Sequence, residues 1–418
     1  MPPTIGACAP LLSALLLTNG PGAPSPAAAA LRRGDLVTAL ASRAADPGEA
    51  VYIQARVALA GGDLRGAEQA AERLPAGGRR AARIAWYLAH ARGDGEAIGR
   101  TAAQLCKLGD PTGRACADAE LYASPVPAPS VAIAGPTEVP LSKNAPVPVA
   151  LARADEVKTG VVLDTGASET VLSSALARRL GLLVTRSSFP IGVAGGGKRA
   201  TARLAVLPAL EIGGATVRSL PVLVVDLPDL ARVGVEAIVS PQQAFAGATA
   251  ELDLGRRRLR LSPGSVAGAR RDGFRAITVP YRIAGFDLAV EASVGRGPRA
   301  LFGLDTGMQG SFAVTEGYAA EGVFPLPVSL VRGAGGEAEL PALPPLPVEL
   351  GGTTLSGGRG VLAPSSPAEM GLAGLLGDGL WEGGVVVLDN AARRITILLP
   401  NATEEAPVRI PNGRSPAF

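Results

Sequence analysis

One histidine, three cysteines and four lysines in 418 residues exclude much before any motif is read. A Ser-His-Asp or Cys-His nucleophile system needs a histidine beside the nucleophile. His90 stands in the helical-looking stretch Ala85-Trp86-Tyr87-Leu88-Ala89-His90-Ala91, far from any such partner, and reads as a packed or surface side chain. Three Cys and one His supply no dedicated zinc site, so no metal and no cofactor is expected. The 40 basic and 37 acidic residues nearly cancel, at +3, which gives no nucleic-acid surface. The apolar run Pro10–Leu17 is too short for a permanent membrane helix. Chemistry in this chain must rest on carboxylates and water.

What is present is a carboxylate at the end of an apolar run. Val161-Val162-Leu163-Asp164-Thr165-Gly166-Ala167-Ser168 drives a strand into a tight turn, and Leu301-Phe302-Gly303-Leu304-Asp305-Thr306-Gly307 does so again. One such turn could be an ordinary Asx turn, with glycine supplying φ > 0. A buried carboxylate used for nothing is costly, and two are harder to dismiss. The surroundings repeat as well. Leu210-Glu211-Ile212-Gly213-Gly214 matches Val348-Glu349-Leu350-Gly351-Gly352, and Leu252-Asp253 matches Leu388-Asp389. Asp164 and Asp305 lie 141 positions apart, Leu210 and Val348 138, and Asp253 and Asp389 136. Three blocks in one order at nearly constant offset mean an internal duplication.

Asp164-Thr165-Gly166-Ala167-Ser168, then Thr170-Val171-Leu172 and Ala177-Arg178-Arg179-Leu180-Gly181-Leu182, resembles the retropepsin-like aspartic proteases in their bacterial form. The resemblance covers about 141–262 and 275–400 and is stronger in the first copy. It implies a mainly β fold, two retropepsin-like acid-protease β-barrel units forming a pseudo-dimer, here with an N-terminal α-helical hairpin domain. It implies an Asp164/Asp305 dyad, met in one chain, with trans pairing of like copies as the alternative. It implies crossed hydrogen bonds between Thr165 and Thr306, with Gly166 and Gly307 letting backbone amides approach the carboxylates. Two flaps are implied, at Gly195, Gly196 and Gly197 and at Gly333, Gly335 and Gly336. The family also expects two apolar residues and a glycine before the last helix of each unit. Leu375-Leu376-Gly377 fits, while Ile238-Val239-Ser240 places Ser at the glycine position. Met308 and Gln309 replace Ala167 and Ser168 in the second copy.

Along the chain, residues 1–30 read as a signal peptide, with Ala27–Ala30 as small-residue cleavage sites, or as a disordered tail. Cys8 has too little apolar sequence before it for a lipoprotein anchor. Residues 31–123 are helical in period and punctuated by Gly34-Asp35, Gly62-Asp63 and Gly93-Asp94, resembling a short array of tetratricopeptide-like hairpins. Such an array would present a surface to a protein partner, or serve as a spacer or cap. Cys106 and Cys116 flank a turn-rich loop and would pair in an oxidising compartment. A Pro-rich linker is expected over 124–140, the first unit over 141–265, a helix over 169–180, the second unit over 275–400 and a polar tail over 401–418. Gly192 with Gly197-Lys198 imitates a P-loop, but Arg199 stands where Ser or Thr must meet magnesium.

The function expected is an exported aspartic endopeptidase, periplasmic or secreted, acting on a peptide or protein substrate. The rival is a catalytically silent peptide-binding β module with a helical adaptor. Neither Ala167 nor Met308 offers the hydroxyl that pepsin-like enzymes place after the tripeptide. The dyad should therefore be less acidic, with an optimum from mildly acidic to near neutral.

Overall fold

A computed structural model describes residues 24–192, 199–226, 230, 234–266, 268–319, 326–333, 336–364 and 371–401. Its first part is helical: α1 (Pro26–Arg32), α2 (Leu36–Ala41), α3 (Pro47–Gly61), α4 (Leu64–Ala71), α5 (Arg79–Arg92), α6 (Gly95–Lys107) and α7 (Arg114–Leu121). The Gly-Asp pairs explain the hairpins. Gly62 and Gly93 close α3 and α5 at φ 80° and 65°, a left-handed conformation that glycine adopts at no steric cost. The aspartate that follows caps the next helix: Asp63 Oδ1 accepts from Gly66 N at 2.8 Å and Asp94 Oδ1 from Ala97 N at 3.0 Å. Asp35 caps α2 in the same way, accepting from Thr38 N at 2.9 Å. No helix among the described residues is long and apolar enough to cross a membrane.

The Ala27–Ala30 run lies inside α1. Ala27, Ala30 and Leu31 are buried in one cluster with Leu301, Leu372 and Leu375 of the second β unit. A processing boundary at residue 30 would cut through this packed helix, which begins at its Ser25 cap. Residues 1–23, including Cys8, lie outside the described residues, as do 402–418 of the expected tail.

Among the described residues the β region forms three sheets. In the first unit, strand Val157–Leu163 pairs in parallel with Val235–Val239. Strand Val171–Ser173 runs antiparallel to Val235–Val239 and parallel to Ala215–Val225. The second unit repeats this arrangement. Ala300–Asp305 is parallel to Gly374–Gly377, and Phe312–Thr315 is antiparallel to Gly374–Gly377 and parallel to Gly360–Ala363. Val171–Ser173, Ala300–Asp305, Phe312–Thr315 and Gly374–Gly377 are buried at every position, so both their faces are covered.

A six-stranded sheet joins the units through strands Ala248–Asp253 and Val385–Asp389. Its register is self-complementary: Thr249 faces Asp389 and Asp253 faces Val385. Since Asp389 is the duplicate of Asp253, and Val385 that of Thr249, the contact has the form of a two-fold interface within one chain. The fold is thus of the expected class, mainly β with two acid-protease-like barrel units and an N-terminal helical region.

Two local expectations change. The stretch 124–140, expected as a linker, carries edge strands Ser130–Ile133 and Thr137–Pro140, which extend the first-unit and joining sheets. Proline is tolerated there because an edge strand leaves half its amides unpaired. The expected helix over 169–180 is shorter: strand Val171–Ser173 comes first, and Ser173 Oγ caps α8 (Ser174–Arg179) by accepting from Leu176 N at 3.0 Å.

Candidate active site

Each Asp-Thr-Gly turn is built the same way. The strand delivers the aspartate at its end, and the backbone folds back. Gly166 N donates to Asp164 Oδ1 at 2.8 Å, and Gly307 N to Asp305 Oδ1 at 2.8 Å. A neighbouring strand backs each turn: Asp164 N donates to Val239 O at 3.0 Å, and Asp305 stands beside Gly377.

The structure brings the two turns together in one chain. Thr165 N donates to Thr306 Oγ1 and Thr306 N to Thr165 Oγ1, both at 3.1 Å. Each hydroxyl then donates across to the other unit, Thr165 Oγ1 to Leu304 O at 2.5 Å and Thr306 Oγ1 to Leu163 O at 2.9 Å. Each half thus supplies three groups, a threonine N–H, its hydroxyl and a leucine carbonyl, that bond across to the opposite half.

Asp164 and Asp305 are 1% and 0% exposed, and each carboxyl acts on the other. Their outer oxygens, Oδ2 in both, receive no N–H or O–H from the described residues. The Ala167 and Met308 side chains carry no hydroxyl to serve these oxygens; the Ala167 backbone N–H acts on the Asp164 carboxyl and lowers it in part. Burial pushes both carboxyls above their ordinary range. Desolvation is the first cause in both, and at Asp305 the Asp164 charge adds to it. Such a pair holds one proton over a wide pH interval. Two unit charges at ~4 Å and an effective dielectric of ~20 repel by about 4 kcal/mol, or about three pKa units.

Sequence reasoning missed three supports. Gln242, in α9 (Pro241–Ala244), donates from Nε2 to Ala167 O at 2.7 Å and Thr165 O at 3.3 Å, bracing the first turn from below. Gln243 Oε1 accepts from Thr170 N at 2.7 Å. Asp378 follows Gly377, and burial pushes it up to about 7; its charge adds to the push on Asp305. The duplication pointed to all three positions, since they follow the matched Ser240 and Gly377. Ser240 fits at the glycine position, but its buried hydroxyl has no partner among the described residues. Gly377 has no such room, because a Cβ there would meet Gly310 O at 2.2 Å.

The two flap expectations fall partly outside the described residues. Strands Phe189–Gly192 and Arg199–Ile212 pair as a hairpin, with Gly192 opposite Arg199, and the tip holding Gly195, Gly196 and Gly197 is not described. Strands Leu326–Gly333 and Gly336–Leu343 form the matching hairpin, with Gly333 opposite Gly336 and Gly335 outside the described residues. Cys106 and Cys116 are joined as a disulfide, their Cα atoms 5.0 Å apart. Among the described residues no three His, Cys, Asp or Glu side chains gather as a metal site.

Residues 147–240, the first unit through Ser240, match the model of a family described as aspartyl protease. No curated protein sequence matches. Among solved structures, the crystal structure of aspartic proteinase from Irpex lacteus is similar over 64% of this chain and 99% of that chain, at 12% identity and a TM-score of 0.40.

Proposed function

We propose that this chain is an aspartic endopeptidase whose water-activating group is the Asp164/Asp305 dyad. The observation that carries this reading is the crossed threonine arrangement, which holds two buried carboxyls against each other. The aspartyl protease match over the first unit supports it. Between the two titration steps one aspartate is ionised and the other protonated. The ionised one takes a proton from water as that water attacks the peptide carbonyl, and the protonated one delivers a proton to the departing nitrogen. General acid–base help of this kind contributes ~10²–10⁴-fold, and positioning must supply much of the rest.

The two hairpins, Phe189–Ile212 and Leu326–Leu343, are the elements that would cover a bound peptide as flaps. Raised carboxyl values, with no donor on either outer oxygen, move the singly protonated window upward. Activity is therefore placed between mild acidity and neutrality. The Cys106–Cys116 bond supports an oxidising compartment, and with it export.

The test is incubation of a diverse peptide mixture with wild type and Asp164→Asn, read by mass spectrometry. Internal cleavages made only by wild type, with a maximum near pH 5–7 as the argument from raised carboxyl values requires, support the reading. Peptides bound but uncut by both proteins would favour the silent binding module.

A further inference from the structure

The helical region reaches the first active-site turn through one side chain. Arg114, at the start of α7, is 4% exposed. Its Nη2 donates to Glu169 Oε1 at 2.8 Å, and its Nη1 to Glu169 Oε2, so the fork meets the carboxylate with both prongs. Nε donates to Asp118 Oδ2 at 3.3 Å. The same Asp118 oxygen accepts from Trp86 Nε1 at 3.1 Å and lies 3.1 Å from His90 Nε2. The guanidinium carbon is 5.0 Å from the ring centres of both Phe189 and Phe286. Phe189 begins the first-unit hairpin, and Phe286 sits at the tip of the second-unit hairpin formed by Arg282–Ala284 and Asp287–Val294. One cation therefore ties the helices to both β units and to the active-site turn.

Glu169 lies five residues after Asp164, in the outgoing limb of the turn. The incoming limb is fixed by sheet pairing, with Leu163 opposite Val239. The outgoing limb joins no sheet until Val171. Gln242 and Gln243 hold it through backbone atoms from inside the unit. The Glu169 side chain is held from outside, by Arg114. The second copy has no counterpart, because Gly310 stands at the position matching Glu169. There the turn meets an apolar cap instead, with Met308 packed against the cluster that contains Leu31 of α1.

We propose that Arg114 is a positioning residue for the dyad: supplied by the helical region, it fixes the outgoing limb of the Asp164 turn through Glu169. The helices are then part of the catalytic apparatus rather than a separate adaptor. This rests on the dyad reading given above. The choice of residues favours positioning over stability. A buried ion pair gains little net stability, because desolvation offsets attraction. What a planar fork adds is direction: two parallel bonds to one carboxylate, with two aromatic rings centred 5.0 Å from the guanidinium carbon, restrict its orientation. Displacement of a reacting group by about 1 Å can cost ~10²-fold in rate.

The experiment uses the full chain with Arg114→Lys and Glu169→Gln. Lysine keeps the charge and loses the fork, while glutamine keeps the shape and leaves Arg114 paired to Asp118. Both variants should keep the wild-type circular dichroism spectrum and stay folded under assay conditions, with lowered urea midpoints because a buried pair loses a partner or its geometry. On a peptide that wild type cleaves and Asp164→Asn does not, each should lose at least ~10-fold in kcat with KM changed far less. Hydrogen exchange should quicken by at least ~10-fold over residues 165–171 and stay unchanged in the joining sheet. Wild-type kcat and wild-type exchange in Arg114→Lys would overturn the proposal. If wild type itself shows no Asp164-dependent cleavage, the endopeptidase reading has failed, and the exchange measurement decides the positioning role alone: faster exchange upholds it and unchanged exchange overturns it.

Discussion

Replacing Thr165 by valine removes one hydroxyl and keeps the volume. That hydroxyl is fully buried, donates to Leu304 O at 2.5 Å and accepts from Thr306 N at 3.1 Å. Valine strands both backbone groups where no water reaches them. A buried group left without a partner costs about 1–3 kcal/mol, so Thr165→Val should destabilise by about 2–6 kcal/mol. Thr306→Val strands Leu163 O and Thr165 N and should cost about the same, because the two halves are related by the duplication. The double variant strands all four groups, but the two threonines touch, so its cost should depart from the sum of the two single costs. Urea unfolding followed by β-sheet circular dichroism reads this out as a lowered midpoint at unchanged slope. A loss below about 1 kcal/mol in either single variant, or a large difference between them, would show that the crossed bonds do not hold the turns.

Further outcomes follow from other sites. Reducing the Cys106–Cys116 bond, or replacing both cysteines by serine, should lower the stability of the helical region by up to about 3 kcal/mol in the chain-entropy model, read as an earlier helical transition on heating. Ser240→Ala should stabilise by about 1 kcal/mol, because it removes a buried hydroxyl without a partner, and a lowered urea midpoint would contradict this. Asp287, a half-buried side chain, is pushed up to about 8, first by partial removal from water and then by the Glu169 charge. Its folded value lies above the unfolded 3.8, so its stability contribution is complete below about pH 4 and is lost as pH rises through about 8. Asp287→Asn should therefore match wild type in melting temperature near pH 4 and exceed it at pH 8.5; equal shifts at both would refute the assignment.

The site was legible because duplication doubles its signal. Asp164 and Asp305 each end an apolar run, and the matched blocks around them announced two equivalent units before any coordinates. The Gly-Asp pairs were legible as punctuation, since a left-handed glycine and an N-cap aspartate are both local requirements. Edge strands 130–133 and 137–140 were not, because their prolines and short lengths imitate a linker, and their pairing partners lie more than 80 residues away. Arg114 was also invisible. Its partner Glu169 is 55 positions distant, and an arginine at a helix start carries no local mark of burial. The Ala27–Ala30 run is ambiguous by nature: small apolar residues serve a cleavage site and a close-packed helix equally well.

The central claim is that Asp164 and Asp305 act as one unit within one chain. The most direct test is kcat/KM on a single cleaved peptide for wild type, Asp164→Asn, Asp305→Asn and the double variant, with folding checked by circular dichroism. Groups that act together are strongly non-additive, so each single variant should be nearly inactive and the double no worse than either. An Asp305→Asn variant that keeps near-normal proteolysis, while Asp164→Asn loses it, would contradict the account and point to pairing of first units between chains.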